Sequence, residues 1–169
     1  MIYIIGTAHT KTQFWSDAIR DGSSLDTCAA IVERFEAYLR QAAISLRAKV
    51  IAEENSEYLV AQREDGSSVA KKVAEELRVH HVYCDPDSNE RQALNIQTDE
   101  DREIIWMHRL YPFSPNETPI VFVCGADHSL TFGSLLERHG LRSQIYCQDW
   151  TIEAHCAIIS DRNQRERPA

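Results

Sequence analysis

Short runs of β-branched residues alternate with segments of helical period along most of this chain, and this alternation is the feature that most constrains its fold. The pattern is typical of βαβ units built around a parallel sheet. It predicts a three-layer α/β/α domain with a mainly parallel sheet of about five strands. The predicted strands cover 2–6, 49–54, 79–85, 119–125 and 143–148.

The segments between these strands have the periodicity of helices. The longest covers 25–46, where apolar residues recur at steps of three and four and form one face. Shorter helices are predicted at 67–78, 99–111 and 129–139, each close to residues that cap helices well. The stretch 150–160 fits either an edge strand or a helix docked on the core.

Length and composition limit the domain organisation and the class of partner. With 169 residues and 43% apolar content, we expect one domain over 1–160 and a mobile polar tail over 161–169. The formal charge of -8, without a Lys/Arg-rich run, argues against nucleic-acid and membrane partners. We expect a cytoplasmic protein, because no secretory signal and no apolar run of roughly 20 residues is present. Self-association into a homodimer stays open.

Polar residues gather where the predicted strands end. Ligands of open parallel sheets bind outside the carboxyl ends of the strands, because loops converge there and helix N-termini point toward them. His9 follows the first strand, and His128 follows the fourth. Glu53 and Glu54 end the second strand. Further candidates at the same rim are Asp85, Asp87, Arg91 and Asp127.

Each of these residues also has an ordinary structural explanation. His9 could be a core or capping residue, and the glutamates could be a strand end that surfaces into solvent. The aspartates could cap helices, and the run 85–87 could form a tight turn capped by its own carboxylates. The site interpretation is favoured because the pattern G-x-x-H stands at two strand ends, at 6–9 and 125–128, where glycine lets the backbone bend past a ligand.

Four short motifs resemble the TraB/TIKI family and its wider relatives, the erythromycin-esterase-like and ChaN-like proteins. They are GTAH at 6–9, the glutamates that end the second strand, the arginine of DREIIWM at 101–107, and CGADH at 124–128. Their order resembles that of the family from residue 2 to about 141. The resemblance implies that one pocket is lined by His9, Glu53 or Glu54, Arg102 and His128.

The leading hypothesis is a small hydrolase, for which two mechanisms fit. In the first, two histidines and a carboxylate hold Zn, Mn or Co, and the metal activates a water. The candidate ligands are His9, His128 and one of Glu54, Glu53 and Asp85. In the second, His9 held by a glutamate deprotonates the water directly. Arg102 stabilises the oxyanion in both, and the substrate is a small molecule or a peptide.

A binding protein is the competing class, because ChaN-like relatives hold haem or another flat ligand without chemistry. The chain has no CxxCH haem-attachment motif, and its remaining histidines show no evident pairing, so we expect most of them at the surface or in helix packing. These histidines are His80, His81, His108, His139 and His155. The five cysteines form no CxxC pair and are expected to be reduced thiols. A nucleophilic Cys84 or Cys124 is less favoured, because cysteines buried in strands are usually inert.

Overall fold

The structure of this chain is a computed structural model that describes residues 1–8, 12–14, 25–64, 66–114 and 118–151, and of residues 25–28 the backbone alone. The strands are β1 (Ile2–Thr7), β2 (Val50–Glu53), β3 (His80–Tyr83), β4 (Ile120–Gly125) and β5 (Ser143–Trp150). The helices are α1 (Leu25–Ser45), α2 (Glu57–Ala61), α3 (Val69–Leu77), α4 (Ser88–Ala93), α5 (Asp99–Leu110) and α6 (Ala126–Arg138). A 3-10 turn, Tyr111–Phe113, follows α5 directly.

The five strands form one sheet in the order β3-β2-β4-β1-β5. Every neighbouring pair is parallel. Strand β4 lies between β2 and β1, and the sequence IVFVCG explains this central place, because a strand covered on both faces is apolar almost throughout. The predicted three-layer fold with a parallel five-stranded sheet is therefore confirmed.

Helices cover the sheet on both sides, each over its own cluster of buried residues. One cluster joins the strands to α5 and α6 and includes Ile4, Ala52, Phe122, Trp106 and Phe132. The other joins them to α1 and α3 and includes Ile5, Ile51, Val123, Phe35 and Val73. We call these two sides the α5/α6 face and the α1/α3 face.

Two short helices, α2 and α4, depart from the sequence prediction, and each begins at a side-chain cap. The Ser56 hydroxyl accepts a hydrogen bond from the amide of Leu59 at the start of α2. Asp87 and Glu90 form a reciprocal capping box at the start of α4. Both helices follow directly on strand ends, so they help to shape the rim where the site was expected.

Helix α6 begins at Ala126, three residues before the predicted start. His128 therefore lies in the first turn of a helix and not in a loop. His9 lies outside the described residues, as do the tail 161–169 and all but the first two residues of the stretch 150–160.

Gly6 lies inside β1 and not in a turn after it. A methyl group at this position would stand 1.9 Å from the backbone oxygen of Gln148, where the register between β1 and β5 shifts. Closely packed interiors leave no room for such an overlap. The expectation that Gly6 bends the chain past a ligand is therefore wrong, because contact between neighbouring strands already requires glycine here.

Three described cysteines carry free thiols. Cys84 and Cys124 are fully buried, and burial raises the pKa of both thiols. A thiol kept protonated is a poor nucleophile, so the chemistry of the rim is left to its carboxylates, arginines and histidines. None of the described helices is both long and apolar enough to cross a membrane.

Candidate active site

The candidate site lies at the carboxyl end of the sheet, between β2 and β4. The chain leaving β2 goes outward to β3, whereas the chain leaving β4 crosses β1 to reach β5 on the other side. Neighbouring strands that send the chain in opposite directions border a crevice, where open α/β sheets bind ligands. Glu54 follows β2 directly, and His128 lies in the first turn of the helix after β4.

Glu54 connects the two sides of this crevice. One of its oxygens accepts a hydrogen bond from Nη2 of Arg102 at 2.5 Å, and the other accepts from the amide of Gly125 at 2.8 Å. Nε2 of His128 lies 3.6 Å from the oxygen that Arg102 holds. A carboxylate, a guanidinium and an imidazole therefore meet at one point, and all three side chains are at most 16% exposed.

Arg102, in the first turn of α5, is held by three carboxylates. Besides Glu54, Asp85 accepts from Nε at 3.0 Å and Asp99 accepts from Nη1 at 3.0 Å. Although burial opposes its charge, Asp85 and Glu54 keep the pKa of Arg102 above its ordinary value. Described residues accept hydrogen bonds from three of the five guanidinium N–H groups, and the other two have no acceptor among these residues.

Asp85 fixes the orientation of Arg102. One of its oxygens accepts from Nε of Arg102 and from the indole N–H of Trp106, both at 3.0 Å. The other accepts from Nη2 of Arg91 at 2.5 Å. The capping explanation holds for Asp87, which caps α4, but Asp85 is only 4% exposed and binds side chains of two helices.

A buried carboxylate orients His128. Its Nδ1 lies 2.9 Å from Oε1 of Glu103, a residue that is 3% exposed, and the hydroxyl of Thr131 donates to the same oxygen at 2.5 Å. The imidazole packs edge-on against Trp106, with 5.1 Å between ring centroids. Because Nδ1 is engaged by Glu103, Nε2 is the nitrogen that faces Glu54 and Arg102.

The pKa of His128 is raised above its ordinary value of 6.5, chiefly by the hydrogen bond to Glu103. Partial burial and the charge of Arg102 oppose this effect, and the charge of Glu54 adds to it. The folded protein therefore binds the His128 proton more tightly than the unfolded chain does.

This linkage predicts how stability depends on pH. The stabilisation from protonated His128 is complete below pH 6.5 and is lost as the pH rises through the higher pKa of the folded state. Compared with His128→Gln, the wild-type protein should gain about 1 kcal/mol at pH 5.5, and this advantage should shrink at pH 8.5. Urea unfolding at both pH values checks this, with the exposed His108→Gln as the matched control. A difference that grows with pH would contradict the assignment.

Glu53 and Glu54 face opposite sides of the sheet, because successive residues at a strand end alternate. Glu53 is fully buried and accepts hydrogen bonds from Ser68, from Asn55 at 2.6 Å and from Nε2 of His81 at 2.8 Å. His81, one of the histidines of which most were expected at the surface or in helix packing, is therefore bound to a buried carboxylate. The sequence held one signal for this contact. Side chains alternate along parallel strands, so Glu53 of β2 and His81 of β3 lie on the same face of the sheet.

The structure thus brings together only part of the predicted set. Glu54, Arg102 and His128 meet in one site, with Asp85 and Arg91 behind Arg102. The residues placed elsewhere are Glu53 on the α1/α3 face, Asp87 at the cap of α4 and exposed Asp127. Sequence reasoning missed Glu103 and Trp106, because only the packing of α5 against α6 gives them a role.

The predicted divalent metal finds few free ligands in the described part of the chain, where no group of three metal-ligating side chains occurs. Both oxygens of Glu54 are engaged, and the Arg102 guanidinium brings a positive charge to the same place. Glu54 and His128 therefore fit an ion-pair site better than a cation site. The metal stays a prediction, because its third ligand, His9, lies outside the described residues.

A cavity of about 530 Å³ opens beside His128, between α5 and α6. Glu103 and Thr131 border it together with the imidazole. The volume is within the range of small-molecule sites. Glu54 and Arg102 do not border this cavity, which therefore meets the imidazole on the side of Glu103.

No protein-family model, curated protein or solved structure matches this chain.

Proposed function

We propose that this chain is a small hydrolase that cleaves an ester or amide bond with His128 as general base. The observation that supports this most is the pair formed by His128 and the buried Glu103 at 2.9 Å. A carboxylate on one ring nitrogen fixes the tautomer and leaves the other nitrogen to move a proton. The resemblance to the esterase-like proteins points to the same residue type at this position.

Each group at the site has a defined part in the reaction. Nε2 of His128 takes a proton from a water, and the water oxygen forms a bond to the substrate carbonyl carbon. The carbonyl oxygen becomes an oxyanion, and the two unused N–H groups of Arg102 donate to it. His128 then returns the proton to the leaving alkoxide or amine as the carbon–oxygen or carbon–nitrogen bond breaks. Glu103 is the positioning residue for the imidazole.

A panel of nitrophenyl esters and fluorogenic peptides tests the proposal. We expect the purified protein to hydrolyse at least one of them, and His128→Ala to lower kcat by about 10²–10⁴-fold, the usual contribution of a general base. His108→Ala, an exposed histidine on α5, is the control and should keep wild-type activity. The rate should rise with pH and reach half its maximum above pH 6.5, since the pKa of His128 is raised.

Other outcomes separate the alternatives. Absence of hydrolysis across the whole panel would overturn the proposal, and a Soret band after addition of haem would then support the binding-protein alternative. Metal analysis of the purified protein and dialysis against EDTA test the metal prediction independently of the role of His128.

A further inference from the structure

A second cavity lies elsewhere, along the edge strand β3, and has a volume of about 860 Å³. All four residues of β3, among them His81 and Tyr83, line it together with Lys71 of α3 and with Glu57 and Tyr58 of α2. This volume is ample for a small molecule, and aromatic walls with a few polar groups are typical of such sites. The proposed hydrolytic site uses none of these residues.

A buried carboxylate holds the histidine of this cavity. Glu53 is 0% exposed, and its three hydrogen-bond donors are Ser68, Asn55 and Nε2 of His81. None of the described lysines or arginines forms an ion pair with Glu53, so the imidazole is its charged or polar counterpart. Burying a carboxylate costs free energy, so a buried carboxylate that binds a histidine at a cavity indicates a functional site. Nδ1 of His81 has no hydrogen-bond partner among the described residues.

Most of the other charged groups of the cavity are already satisfied. Glu90 binds Arg109 at 2.5 Å, and Asp87 accepts from two backbone amides at the start of α4. Lys71 and Glu57, in contrast, form no side-chain hydrogen bond or ion pair with any described residue. The cavity therefore keeps one half-buried ammonium group and one exposed carboxylate that no described side chain pairs with.

Lys71 and His81 both lie near the ring of Tyr83. Nζ of Lys71 is 5.7 Å from the centroid of Tyr83. Burial raises the pKa of Tyr83, and the negative charges of Glu53, Glu57 and Glu75 raise it further. The ring of Tyr83 also meets His81 edge-on, at 4.5 Å between centroids. Lys71, Glu57, the imidazole of His81 and the ring of Tyr83 thus border one cavity.

We infer that this cavity binds a small zwitterion of the α-amino-acid type. The ligand carboxylate pairs with Lys71, its ammonium pairs with Glu57, and an apolar or aromatic side chain packs on Tyr58 and Tyr83. His81, held by Glu53, supplies a further hydrogen bond through Nδ1. A ligand with both charges forms both ion pairs, so a zwitterion should bind more tightly than a derivative with only one charge.

Calorimetric titration with phenylalanine and two derivatives tests this inference on the whole chain. Phenylalaninamide lacks the carboxylate, and N-acetylphenylalanine lacks the ammonium. Each derivative should bind about tenfold more weakly than phenylalanine, a change that corresponds to about 1.4 kcal/mol. The Lys71→Gln variant should bind phenylalanine and its amide equally, and Glu57→Gln should bind phenylalanine and its acetyl derivative equally.

Matched controls make the outcome decisive. Lys72→Gln and Glu33→Gln remove exposed charges outside the cavity and should bind phenylalanine like the wild-type protein. The inference fails if phenylalanine, leucine and glycine all show no binding up to about 10 mM, a limit equivalent to less than 3 kcal/mol of binding free energy. It also fails if the two derivatives bind as well as phenylalanine. Neither result depends on hydrolysis at His128.

Discussion

Replacing Asp85 by alanine should lower the free energy of unfolding by about 3–5 kcal/mol, the range for breaking a buried ion pair from one side. Asp85 is 4% exposed and accepts from Arg91, Arg102 and Trp106. Without it, the N–H group of the fully buried Trp106 loses its acceptor, and Arg102 loses the contact that aligns Nε. A buried donor that has lost its acceptor destabilises the folded state by the full free energy of its desolvation.

Urea unfolding of the wild-type protein and Asp85→Ala measures this loss. Arg91→Ala is the matched control, because it removes one donor of the same carboxylate while leaving Arg102 and Trp106 bound. The Arg91 side chain is 37% exposed, so its removal should cost only about 1 kcal/mol or less. If Asp85→Ala were no less stable than Arg91→Ala, Asp85 would not be the central acceptor of this network.

The second large effect is expected at Arg102. Under the proposed mechanism, Arg102→Gln removes the charged donor to the oxyanion and should lower kcat by about 10²–10³-fold. It should also raise the pKa of His128, because the positive charge of Arg102 opposes protonation of the imidazole. Arg102→Lys keeps the charge but not the planar fork, so it should lose activity while its His128 pKa stays near that of the wild-type protein.

Two measurements on the same variants separate these roles. Hydrolysis of the best ester or peptide of the panel reports kcat, and NMR titration of the His128 ring reports its pKa. The NMR spectra also show whether each variant is folded. Wild-type kcat in Arg102→Gln would contradict a role for the guanidinium at the oxyanion, and an unchanged pKa would contradict the charge coupling to His128.

The periodicity of the sequence was enough to predict most of the fold. Alternation of β-branched runs and helical segments located all five strands to within about two residues at each end. The apolar signal is strongest in β1, β2 and β4, which are buried on both faces. The long helix α1 and the capped helices α3 and α5 were equally clear. Helices α2 and α4 are too short to show a period, and only their caps mark them.

The rim of the site was also predictable in outline. The carboxyl ends of parallel strands lie at one edge of the sheet, so residues that follow the strands, such as Glu54 and His128, had to lie at that edge. The face of the sheet to which each of these side chains points could not be predicted from the strand pattern. Glu53 and Glu54 divide between two faces according to the residue at which β2 ends, and a shift of one position would exchange them.

The partners of the site residues were decided by the tertiary structure alone. Glu54 binds Arg102 across 48 residues, His128 binds Glu103 across 25, and His81 binds Glu53 across 28. Local sequence determines whether a segment is a strand or a helix, since that depends on neighbours within a few residues. The pairing of charges depends on the strand order. His128 lies beside Glu54 because β4 is the neighbour of β2 in the sheet.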